Sequence, residues 1–466
     1  MGKGIKKEKL YIKAAKEGNP IAQLNLGSLY YSGEIGEKNY KQAEEWYLKS
    51  AKQGNEVAQL NLGVMYYIGE GVKQDYKKAE KWYRRAAEQG YSVAQFNLGN
   101  MYYLGHGVRQ DYDKAVSWYL LAARQGYHVA QNNLAIMYKE GRGVERDYEK
   151  AFELFRQAAE SGNSDAQNKL GEMYQQGIGT KVDFNNAYRW YRRAEKQGNT
   201  EAQNNLGILY CLGKGVERDY KKAEVLFIKA AKKGSALAKN TLGVMYYYGQ
   251  GVEQSFEKAF EYFSDVASKG IPDAMNRLGI MYQNGEGVDK DLDKAFALFT
   301  KASERGHLEA NFNIGTMYYE GEGVDQDYKK AYEYFKSGAE RGHADSQCNL
   351  GFMYQNGLVV EQDFSKAFDL YNKSSFQGHA PAKNNLGIMY YLGQGLEQDY
   401  NKAFRLFNEV AGQGVADAQC NLAFMYYLGQ GTEKDVQKAV ELFNMSAEQG
   451  NKDAQESLEK LFVKEA

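Results

Sequence analysis

Proline is nearly absent from this chain. There are 3 among 466 residues, so long stretches carry nothing that would break a helix. Cysteine is as rare: Cys211, Cys348 and Cys420 are too few for a disulfide framework and fit a reducing compartment. No run of 18 apolar residues occurs, which excludes a membrane-spanning helix by sequence. Met1 to Leu10 hold four lysines with no apolar stretch behind them, so no secretory signal is expected and the location reads as cytoplasmic. The net charge is -1, which argues against a dedicated nucleic-acid binder. Catalytic chemistry is missing too. The glycine-rich GEGV segments lack the lysine of a phosphate loop, and no Ser-His-Asp or Cys-His pairing stands out.

Glycine and tyrosine are abundant instead, with 50 and 39 residues. They fall in register. Gly27 returns every 36 residues at Gly63, Gly99, Ala135, Gly171, Gly207, Gly243, Gly279, Gly315, Gly351, Gly387 and Ala423. Tyr30, Gly33 and Ala43 recur in all twelve units with no insertion or deletion. Such a period is the mark of a repeat architecture.

One unit reads as two helices. Ala58, Leu62, Met65 and Tyr66 form one stripe of a 3.6-residue period, helix A. Gly69-Glu70-Gly71 stops it, and Asp75 is placed to cap helix B, whose face is Ala79, Trp82, Tyr83 and Ala86. A single pair cannot bury its stripe, but stacked pairs can. The expected fold is all-α: a right-handed α-solenoid of twelve 36-residue helix-turn-helix repeats over 19–450. An unpaired helix B at 1–18 and a capping helix A at 451–466 complete an expected count of 26 helices. In the last helix Ala454, Leu458 and Leu461 keep the stripe, while Glu459 replaces the close-packing glycine.

The segment AQLNLGVMYYIGEGVKQDYKKAEKWYRRAAEQG, residues 58–90, resembles a Sel-one-like repeat of the tetratricopeptide superfamily. The resemblance covers 19–450 and implies a superhelix with a concave groove, a scaffold or adaptor role, a protein or peptide partner, and no cofactor. The cysteine-rich secreted subfamily carries a disulfide pair per repeat; this sequence lacks those pairs, so that subfamily's β-lactam chemistry is not carried over.

The face of helix A opposite the core stripe is the expected groove lining. An aromatic column occupies it: Tyr31, Tyr67, Tyr103, Tyr247, Tyr319, Tyr391 and Tyr427, with Leu60, Phe96, Phe312 and Phe424 beside it. Tyrosine joins a large apolar body to a polar tip, which suits a wet binding surface. The other reading is that these rings pack on the next repeat. A second column holds Asn132, Asn168, Asn204, Asn240, Asn276 and Asn384, whose amides could hold an extended peptide backbone or simply sit exposed on the helix. Asn25, Asn61 and Asn97, nearer the core edge, are expected to bond backbone between repeats.

Charge divides by halves. Residues 1–234 hold 37 Lys and Arg against 27 Asp and Glu, and residues 235–466 hold 22 against 33. Salt-sensitive head-to-tail self-association is one reading of this, and drift on a solvated face is the other. The basic half also raises membrane-surface or nucleic-acid contact as an alternative function, ahead of a hydrolase. The five histidines are His106, His128, His307, His343 and His379. The last three share one column, about 10 Å apart at one helix diameter per repeat, too far to share one metal ion. A loop or capping role is expected for them, and no metal site.

Overall fold

A computed structural model gives the fold and describes residues 11–34 and 36–465. All twenty-four expected repeat helices form among the described residues, each A and B helix following at a step of 36. In the second repeat helix A is Glu56–Ile68 and helix B is Tyr76–Glu88. Residues 11–16 are helical, whereas 1–10 of the expected first helix lie outside the described residues. The closing helix is Lys452–Glu465. The chain is an all-α solenoid of paired helices. It divides into two compact units, Met1–Ala238 and Lys239–Ala466.

The local signals act as their chemistry requires. Gly69 ends helix A in the left-handed region at φ 81°, and its N–H donates to the Met65 carbonyl. The Asp75 carboxylate accepts from Lys78 N at 3.0 Å and so caps helix B. Asn39 and Ser255, which stand in for aspartate at this column, cap in the same way.

Ala58, Leu62, Met65, Ala79, Tyr83 and Ala86 are all buried, so the A and B stripes face one another. The glycine column lets them close. A Cβ at Gly99 would lie 2.7 Å from Cδ1 of Tyr119, nearer than atoms can pack. In the last helix Ala454 and Leu458 are buried and Leu461 packs on the same cluster.

A buried glutamine lock, which the sequence reading did not single out, ties several of the pairs to the one before. Gln59 Nε2 donates to the Ala51 carbonyl of the preceding helix B at 3.1 Å, and its Oε1 accepts from Gln89 at 2.7 Å. The pattern returns at Gln95 with Gln125, Gln167 with Gln197, and Gln347 with Gln377. Where lysine replaces the first glutamine, an acid appears on helix B of the same repeat: Lys239 meets Asp265 at 2.7 Å, and Lys383 meets Glu409. In repeats 4 and 6 the second glutamine is Ser161 or Lys233, and Gln131 Oε1 and Gln203 Oε1 are left buried without a donor.

The turn glycines also sit tightly. A Cβ at Gly107 would come 2.7 Å from the Tyr76 carbonyl carbon of the preceding repeat. Among the described residues one repeat departs from this column: Val359 occupies it at φ 58°, the one non-glycine residue at positive φ among those described.

Candidate functional site

The tyrosine column lies half-buried on helix A, between the core and solvent. Helix periodicity sets Tyr31, Tyr67 and Tyr103 one residue past the core tyrosines, so each ring leans on the start of its own helix B. Tyr67 meets Tyr76 edge-on at 5.2 Å, and Tyr31 meets Tyr40 at 5.4 Å. Five of the seven hydroxyls then reach into the turn of the next repeat, 39 residues on. Tyr31 donates to Glu70 at 2.5 Å, Tyr247 to Glu286 at 2.6 Å and Tyr391 to Gln430 at 2.6 Å. Tyr67 bonds His106 at 2.9 Å, and Tyr103 accepts from Arg142 at 2.8 Å. The carboxylate of Glu70 pushes the Tyr31 hydroxyl up to about 12, with burial adding to it. Burial raises Tyr67, Tyr247, Tyr319 and Tyr391 as well. These hydroxyls are therefore neutral. Tyr319 stacks against Tyr328 and Phe335, and Tyr427 lies under Lys434.

Of the flanking residues, Phe96 packs on Tyr119 and Tyr127, Phe312 on Phe335 and His343, and Phe424 on Phe443. Leu60 packs against the same core. These side chains are partly committed to packing, and the tyrosines partly to bridging repeats.

What remains open is a cleft between successive A helices. In repeats 3 and 4 it holds about 370 Å³, lined by Asn100, Tyr103, Leu104, Tyr119, Asn133 and Ile136. In repeats 1 and 2 the corresponding cleft holds about 310 Å³, lined by Ser28, Tyr31, Ser32, Tyr47, Asn61 and Val64. Both are addressed by the same repeat columns, and both use a column tyrosine as one wall.

The asparagine column is buried, not exposed. Asn168 is 0% and Asn204 2% exposed, Asn132, Asn276 and Asn384 are also buried, and Asn240 is half-buried. Most have protein partners. Asn168 accepts from Asn205 at 3.0 Å, Asn276 from Asn313 at 2.9 Å and Asn384 from Asn421 at 3.0 Å, each bond crossing to the next repeat. Asn240 donates to Asp273 at 2.7 Å, and Asn132 to Asn133 at 3.3 Å. Neither side-chain atom of Asn204 has a partner. Asn205, Asn313 and Asn421 stand at the column of Asn25, Asn61 and Asn97, and there each donates to a side chain of the preceding repeat.

The cysteines are inert by environment. Burial pushes the Cys348 and Cys420 thiols up to about 12, and Cys211 is raised by the same cause. The histidine column caps in part. His307 Nδ1 accepts from Ala310 N at 3.1 Å and His343 Nδ1 from Ser346 N at 3.3 Å, while His379 makes no such cap. Sequence spacing missed that Glu309 and Asp345 come between these rings; a check of which columns meet one repeat apart would have found them.

A solenoid of paired helices, with clefts between adjacent A helices, defines the class. The chain belongs to the Sel1 repeat family, which matches at twelve segments from 20–55 to 416–451. It is similar to a protective antigen present in uropathogenic Escherichia coli strains displaying an SLR fold, at 35% identity, with 97% of each chain covered and a TM-score of 0.77. It is also similar to a Sel1 repeat protein from Oxalobacter formigenes, at 32% identity over 66% of this chain and 89% of that one, with a TM-score of 0.52. No curated protein matches the chain. Sel1 and related repeat proteins generally act as protein-interaction scaffolds. No helix among the described residues is long and apolar enough to cross a membrane.

Proposed function

We propose that this protein is a non-enzymatic scaffold that takes an extended peptide segment of a partner across the A-helix face. The carrying observation is the pair of equivalent clefts at repeats 1–2 and 3–4, each walled by a tyrosine of the same column. A cleft of this size takes one or two side chains, and two clefts in periodic register suit a segment with two apolar or aromatic anchors. Interface hot spots are few and aromatic, and each costs about 2 kcal/mol or more when truncated. Tyr103 and Ile136 are the anchors' walls in the larger cleft, and the half-buried Asn133 beside them offers an amide to peptide backbone.

A displayed random-peptide library selected on the full chain tests the reading. Selected peptides should share apolar or aromatic anchors. The Tyr103→Ser, Ile136→Ser double variant should weaken them by about tenfold or more, since that is 1.4 kcal/mol, with its helical circular dichroism unchanged. The Leu62→Ala, Tyr66→Ala variant should instead lose helix locally, because those side chains are buried core. Recovery of no peptide, or of peptides indifferent to the Tyr103 and Ile136 changes, would overturn the reading.

A further inference from the structure

Repeats 9 to 11 carry a polar cluster that the binding clefts do not use. It sits where the starts of three successive A helices approach, Leu308–Glu320, Ala344–Asn356 and Ala380–Leu392. His343 Nε2 lies 3.0 Å from Glu309 Oε2 and 3.9 Å from Asp345 Oδ2. These three ligand-type atoms all fall within 4.8 Å of one another. The other Asp345 oxygen, Oδ1, is 3.1 Å from His379 Nε2.

Each acid has a histidine beside it, Glu309 at His343 and Asp345 at His379. The single N–H that His343 can present at Nε2 points along one line and satisfies one carboxylate. Two carboxylates converge on it. Among the described residues, Glu309 and Asp345 form ion pairs with histidines alone. Two repeats earlier the arrangement differs. Asp273, near His307, also receives Arg277 at 3.1 Å and Asn240 at 2.7 Å, so its charge is met by a fixed cation. Among the described residues no lysine or arginine takes that place at Glu309 or Asp345.

We propose that Glu309, His343 and Asp345 bind one divalent transition-metal ion, with zinc the natural probe. A metal in place of the Nε2 proton serves both carboxylates at once. Ligand atoms about 2.0–2.2 Å from a tetrahedral zinc lie about 3.3 Å from each other, against the 3.0 and 3.9 Å seen here. Imidazole nitrogen and carboxylate oxygen are both accepted zinc ligands, and a three-ligand set leaves a fourth position for water.

The surrounding groups support this arrangement. When metal takes Nε2, the His343 proton moves to Nδ1 and donates to Ser346 Oγ, 2.9 Å away. The long 3.3 Å cap bond from Ser346 N is released in exchange. His379 is a positioning residue. His379 Nδ1 makes a hydrogen bond of 3.0 Å with Ser374 Oγ, and Ser374 in turn donates to the Ala344 carbonyl at 2.8 Å. That bond fixes the ring, and the ring holds Asp345 Oδ1 so that Oδ2 faces His343. The His343 and His379 side chains are 13% and 17% exposed and therefore held, while Glu309 and Asp345 at 48% and 44% leave the site open to an ion from solvent. A metal here joins repeats 9 and 10 by a bond that no helix pairing supplies.

The test uses the full chain stripped with chelator. Zinc titration by calorimetry should give one equivalent per chain, and cobalt in its place should develop the visible absorption of a low-coordinate site. Zinc should raise the melting temperature. His343→Gln and Asp345→Asn should abolish uptake. Glu309→Gln, a change at an exposed side chain that leaves the packing alone, should do the same. His379→Gln should weaken uptake by about 10–100-fold, and His128→Gln should change nothing. Absence of uptake by the folded wild-type chain would overturn the proposal. So would uptake that survives Glu309→Gln and Asp345→Asn unchanged.

Discussion

At the residue scale, the departures from the repeat are where energy is lost. Val359 holds a β-branched side chain at φ 58°, in a column where glycine sits at φ 66–74° in most other repeats. Left-handed backbone at a residue of this type costs about 1–3 kcal/mol. Val359→Gly should therefore raise the stability of the second unit by about 1 kcal/mol or more, read as a later urea midpoint. An earlier midpoint would mean that the valine side chain packs usefully. Ser161 is the second case. Its repeat lacks the glutamine that elsewhere donates to the first lock residue, and Gln131 Oε1 is buried without a donor. Ser161→Gln supplies it and should add about 0.5–1.5 kcal/mol. Slower amide exchange in helix B of that repeat (Tyr148–Glu160) would show it, and unchanged exchange would count against it.

At the element scale, helix B is held at its start by a titrating group. Asp111, Asp147, Asp183, Asp291, Asp363 and Asp399 accept backbone N–H bonds three residues on, and those bonds hold each carboxyl below its ordinary range. A depressed carboxyl stabilises the fold above its unfolded value, near 3.9, and that contribution is lost as pH falls through the lower folded value. The melting temperature should be flat from neutral pH to about 5 and drop below about 4. Replacing Asp147 and Asp291 by serine, the residue that already caps at Ser255, should shallow that drop. An equally steep drop would place acid sensitivity elsewhere. These caps were legible in the sequence, as were the helices, the turns and both core stripes, because each depends on spacing within one 36-residue unit. The tyrosine column was legible as a face but not as a set of bridges, since its hydroxyl partners lie 39 residues away. Burial of the asparagines was not legible at all. Their angle on the helix points away from the core, and the next repeat, which one helix does not encode, covers them. The acids beside the histidine column escaped for the same reason.

At the scale of the whole molecule, charge is the property that repeats do not share. The first 234 residues are basic and the remainder acidic, though the total is near zero. If opposite halves of different chains attract, sedimentation velocity should show association at low salt that disappears as salt rises past about 0.1 M, where the screening length is about 10 Å. Association that persists at high salt would point to apolar contact, and a single species throughout would leave the asymmetry without a role in assembly.

The lysine-acid exchange in the lock has a genetic consequence. Lys239 with Asp265, and Lys383 with Glu409, each fall inside one 36-residue unit. A crossover that copies or removes a whole unit from turn to turn carries both partners together, so arrays of different length inherit intact locks. A crossover whose breakpoints fall between the paired helices splits them. It would, for example, join Gln203 to a helix B bearing Asp265, and set a carboxylate against an amide oxygen that already lacks a donor. Exchange from turn to turn therefore keeps every lock, whereas exchange within a unit keeps one only where both parents carry the same kind of pair. The cluster of Glu309, His343, Asp345 and His379 obeys the opposite rule. It draws on three successive units, so a deletion from turn to turn that removes the middle one takes His343 and Asp345 with it.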